Sequence, residues 1–103
     1  MKLYKFPPKR PGEIVAVRFP YSRELSAGET LTGAPTVAIS VRTGADPAAA
    51  AMLVGAPVVG ADDVVQLVGA GVDLAQYLLT CLADTTAGQR LQREAILPVA
   101  DPR

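Results

Sequence analysis

Short runs in which apolar and polar residues alternate, cut by glycine or proline at intervals of about 8 to 12 residues, constrain this chain most. Val15, Val17 and Phe19 alternate with Ala16 and Arg18 until Pro20. Val37, Ile39 and Val41 alternate with Ala38, Ser40 and Arg42, and Val64 to Val68 forms a short apolar run closed by Gly69-Ala70-Gly71. Tyr77, Leu79, Cys81 and Ala83 alternate with Leu78, Thr80 and Leu82, then a turn over Asp84 to Gly88 leads into a returning run from Leu91 to Val99. A period of two puts successive side chains on opposite faces of a strand, and two such runs joined by a short glycine-bearing turn form a hairpin. The whole pattern predicts an all-β fold, an immunoglobulin-like antiparallel β-sandwich of about seven strands. Tyr77 stands where such domains place a tyrosine whose hydroxyl caps a nearby loop, although Cys81 follows four positions on and not two.

Other segments are punctuated less clearly. Ser26-Ala27-Gly28 reads as a turn, and Gly33 with Pro35 marks a bulge or a change of sheet. Asp46-Pro47 before four alanines is a helix-start signal, with Asp46 as the cap and Pro47 at the first helical position. Met52, Leu53 and Val54 read equally well as a strand, and Gly55 with Pro57 leaves either element little length.

At 103 residues the chain has the length of one domain, and with five aromatics and no Trp its core must be built from Val, Leu, Ile and Ala. Residues 1–12 hold three prolines and read as an extended, basic, proline-rich arm, with residues 13–103 as the sandwich. Lys2, Lys5, Lys9, Arg10, Arg18 and Arg23 face only Glu13 in the first fifth of the chain, so a basic arm precedes an acidic body. Tyr4, Lys5, Phe6, Lys9 and Arg10 are the arm's candidate partner-binding residues, and Arg90 and Arg93 are those of the last strand. Prolines break the basic run and only Tyr4 and Phe6 offer stacking surfaces, so nucleic acid is not the expected partner.

The search for chemistry is soon exhausted. There is no His, so the usual zinc sites and a Ser-His or Cys-His nucleophile have no base or ligand. Cys81 then reads as a core residue. Asp62 and Asp63 lack the spacing of a cation loop and read as turn formers, and Gly69-Ala70-Gly71 lacks the third glycine and following helix of a phosphate cradle. No run of about 18 apolar residues exists, and no apolar leader follows the first lysines. The expectation is a soluble protein without signal peptide, membrane partner, metal, cofactor or catalytic activity.

Lys9 to Glu13, Leu25 to Thr32 with Gly28-Glu29-Thr30, Gly69 to Gly71, Tyr77, and the Thr85 to Arg90 turn before a last strand ending Leu97-Pro98-Val99 together resemble the bacteriophage fibre-tail adaptor family. That resemblance implies an immunoglobulin-like virion protein of the neck or tail, made in the host cytoplasm, that joins fibres or spikes to the tail. Its implied partners are other tail, neck or fibre proteins and copies of itself in a ring; no catalytic residue carries over. The chain departs from the family pattern at Phe19-Pro20-Tyr21 and in the alanine-rich insert near Asp46. A capsid decoration or head-tail connector protein, and a free sandwich that binds carbohydrate or peptide, stand as alternatives. The arm is expected to clasp an adjoining subunit and to be removable without loss of the fold.

Overall fold

The computed structural model describes residues 4–100. Seven strands follow in order: β1 (Tyr4–Lys5), β2 (Val15–Pro20), β3 (Leu31–Thr43), β4 (Leu53–Val59), β5 (Asp63–Val68), β6 (Gln76–Thr85) and β7 (Arg90–Pro98), with one 3-10 turn, Ala49–Met52, before β4. They form two sheets, ordered β1-β7-β6-β3 and β2-β5-β4. Lettered A to G along the chain, these are A-G-F-C facing B-E-D, the immunoglobulin division with the first strand moved to the edge of G. β1 pairs β7 in parallel while the other ladders are antiparallel.

The alternation decides which side chains fill the space between the sheets. Tyr77, Leu79, Cys81 and Ala83 on β6 and Ala95 and Leu97 on β7 point inward and are buried, facing Val17 and Phe19 on β2 and Val64 and Val68 on β5. The closing hairpin keeps one register from Asp84↔Arg90 to Gln76↔Pro98. β3 carries a register shift between Thr32 and Thr36, where Gly33 (φ +76) and Pro35 interrupt the ladder, as their positions in the sequence imply.

Two buried tyrosines tie loops to this core. The Tyr77 hydroxyl accepts from the Val72 amide (2.8 Å) and donates to Asp46 Oδ2 (2.8 Å), a bond back to the backbone upstream of strand F as in a tyrosine corner. The Tyr21 hydroxyl donates to the Cys81 carbonyl (3.1 Å), linking the segment after β2 to the centre of the opposite sheet.

The alanine-rich segment differs from the helix-start expectation. Asp46 Oδ1 accepts from the Ala48 amide (2.9 Å), an Asx turn, and the 3-10 turn begins only at Ala49. It stops after four residues because Met52 inserts into the core and the chain then extends. Nor do Gly55 and Pro57 end the strand. β4 is an edge strand whose ladder to β5 shifts between Val54 and Val58, and the bulge accommodates Gly55 at φ +71 and a proline that cannot donate. Gln66, buried on β5, directs its amide nitrogen to the Val54, Gly55 and Leu67 carbonyls, so polar groups freed by the bulge are satisfied.

Candidate interaction surface

The segment read as an arm is packed against its own domain. Phe6 N donates to Ile96 O (2.9 Å), Lys9 N to Pro98 O (2.9 Å) and Ala100 N to Lys9 O (2.9 Å), so residues 4–9 run along the edge of β7. Phe6 is only 6% exposed and meets Phe19 of the facing sheet edge-on at 5.6 Å; Tyr4 in turn meets Phe6 edge-on at 5.3 Å. An apolar side chain flanked by prolines looks like an exposed anchor in a sequence, but here it closes the open side of the sandwich where the two sheets' edges meet.

Lys9 is 1% exposed. Its ammonium donates to the carbonyls of Ala70 (2.5 Å), Arg10 (2.6 Å) and Pro11 (3.4 Å). Burial lowers its pKa below the ordinary lysine value and the charge of Glu13 opposes that shift. Burial of a cation is tolerable because three carbonyl dipoles replace its water. Phe6 and Lys9 therefore hold the segment in place, whereas Tyr4, Lys5 and Arg10 stay exposed on its outer side.

The two arginines of the last strand are engaged within the chain. Arg90 bonds Asp84 (2.8 Å) across the hairpin and holds that carboxyl below the usual range. Arg93 pairs with Glu24, donates to the Pro20 carbonyl (3.3 Å) and lies over the Tyr21 ring at 5.3 Å. Tyr4 stands between two shallow clefts on this side. One, of about 290 Å³, is lined by Phe6, Lys9, Val15, Val17 and Leu97; the other, of about 450 Å³, by Pro20, Ser22, Arg23, Glu24 and Arg93.

A second surface was not anticipated from the sequence. Cross-strand pairs share a face, so Ala16, Leu67 and Val54 form one row on the outside of the three-stranded sheet and Arg18, Val65 and Val58 the next. Val58 is 67% and Leu67 45% exposed, and Ile14, 64% exposed, borders Gly69 together with Val54. Arg18, paired with Asp63 (2.5 Å), edges this apolar strip. The sequence hides it because valines occupy both parities, Val58-Val59 and Val64-Val65, so alternation does not say which face is wet. Leu74 is another exposed apolar residue, held at φ +70, a conformation uncommon for a non-glycine side chain.

Cys81 is buried and free, with its thiol pKa pushed up by burial. Among the described residues no group of acidic, cysteine or histidine side chains is placed to hold a metal ion. No helix of the described residues is long and apolar enough to cross a membrane. Two surfaces stand out: an aromatic-edged side along β1 and an apolar strip outside β5.

Neither the curated proteins nor the solved structures gave a match to the chain. A family model does match, over residues 9–98, and its description is "Podophage GP4 fiber-tail adaptor protein gp77". The match begins at the buried Lys9 and ends at Pro98, so it takes in every strand from β2 to β7. With most of its length matched, the chain belongs to the Gp77 family of podophage fibre-tail adaptor proteins and is a structural protein of the phage tail.

Proposed function

We propose that the protein is a non-enzymatic adaptor, present in several copies, that joins fibre or spike proteins to the tail or neck of the particle. The family match carries this reading. The surface supports it: the strip formed by Ile14, Val54, Val58 and Leu67 leaves large apolar side chains in water, a cost that burial against another tail protein removes. Tyr4, Lys5 and Arg10, exposed on the β1 side, supply a second set of polar, mostly basic contacts. Neither nucleic acid nor membrane is a partner in this reading.

The test is complementation. Particles assembled without this protein are mixed with the purified chain and inspected by electron microscopy. Recovery of fibre-bearing tails is the expected result, with bound protein migrating with the tails in a gradient. Tails that acquire fibres equally well without it would refute the reading.

A further inference from the structure

We propose that residues 4–9 form an exchangeable strand: within the assembly this segment leaves its own β7 and occupies the same place on β7 of a neighbouring copy. The proposal rests on the adaptor reading above, since it needs copies side by side. Its first support is that the seat is built for this occupant. The Tyr4↔Ala95 and Lys5↔Ile96 ladder, the Phe6 ring against Phe19, and the Lys9 ammonium on the Ala70 carbonyl are all made by the segment to other parts of the fold. A second copy carries the identical segment, so exchange conserves these contacts, and the occupant of the groove is already defined.

The second support is the connection. Between Lys9 and Val15 the chain crosses from the four-stranded sheet to the three-stranded one through Arg10-Pro11-Gly12-Glu13-Ile14. The turn is closed by Glu13 N on Arg10 O (3.1 Å) and by Arg10 N on Glu13 Oε1 (2.8 Å). Both are exposed local bonds, each worth little in water, and no atom lies within 4 Å of where a Cβ on Gly12 would sit. Opening the turn breaks these two bonds and those from the Lys9 ammonium to the Arg10 and Pro11 carbonyls, all within residues 9–13, and moves the whole segment outward. Short hinges next to a complete strand are the usual route to exchange, and a neighbour's high local concentration in a ring favours it.

The third support is how little of the segment is ladder. β1 has two residues in parallel register, and along Arg90–Glu94 the same edge of β7 has no strand partner among the described residues. The segment is attached by side chains, Phe6 and Lys9, more than by a continuous ladder. Such an attachment can be released and remade as a unit.

The experiment locks the strand. Lys5→Cys and Ile96→Cys place two thiols at a registered pair on one face, and oxidation of the dilute monomer ties the segment to its own β7. The expected result is that the oxidised protein no longer joins particles and that reduction restores joining. Locked monomer that assembles as well as the reduced form overturns the exchange while leaving the adaptor reading intact; failure of the unmodified chain to join particles overturns the adaptor reading instead. The two single variants, K5C and I96C, give an independent reading when mixed, assembled and oxidised. A covalent dimer containing one of each is expected; its absence from such particles, when particles assembled from the reduced double variant oxidise to the disulfide within single chains, contradicts the proposal.

Discussion

At the scale of single residues, the core is held by a few polar atoms placed where the apolar packing leaves them no water. Tyr77 is the clearest. Tyr77→Phe leaves the Val72 amide and Asp46 without their partner, and is expected to lower the unfolding free energy by about 1–2 kcal/mol in urea titrations. Phe6→Ala removes a ring from between the sheets, with an expected loss of about 3 kcal/mol, whereas Tyr4→Ala on the exposed side should change stability little. Equal, small effects of both would mean that the segment is not docked. Cys81 and Tyr21 both have pKa values raised by burial, Tyr21 also by its interaction with the Cys81 side chain. The unfolded thiol and phenol ionise at about pH 8.5 and 10 while the folded ones stay protonated, so stability is intact below these values and falls as pH rises through and beyond them. Thiol reagents at pH 8 should leave Cys81 unmodified in the folded chain and modify it in urea.

At the scale of elements, legibility followed from how far local pattern alone dictates the outcome. The β6–β7 hairpin was readable because alternation, turn and return all lie within one continuous stretch. β2 was readable from its alternation up to Pro20, and β5 as a short apolar run closed by Gly69-Ala70-Gly71. β4 was not: Gly55 and Pro57 break strands in isolation, and only the edge position and the Gln66 amide beneath the bulge make them tolerable. β1 was hidden more deeply, since a two-residue strand among prolines has no period, and its place is set by Phe6 finding Phe19 far along the chain. The apolar strip outside β5 belongs to this scale as well. Val58→Asp combined with Leu67→Asp should leave the thermal midpoint nearly unchanged, because both side chains are exposed, yet abolish incorporation into tails. Full incorporation of that variant would remove the strip from the interface.

At the scale of the whole molecule, the resemblance carried by Lys9 to Glu13, Gly28-Glu29-Thr30, Tyr77 and the Thr85 to Arg90 turn implied a structural role, and the family match over residues 9–98 agrees with it. Of the residues proposed from the sequence to bind a partner, Tyr4, Lys5 and Arg10 are exposed, Phe6 and Lys9 are buried in the fold, and Arg90 and Arg93 pair within the chain. Deleting residues 1–11 takes the buried Phe6 and Lys9 from the domain and is expected to lower its stability in urea titrations. A reconstruction of the intact virion tests the central claim most directly. Several copies of this two-sheet domain are predicted between the tail and the fibre or spike bases, each with the Val58–Leu67 side covered by another tail protein. Tails whose fibres meet the tail with no such domain between them, or copies of it found only on the head shell, would contradict the account.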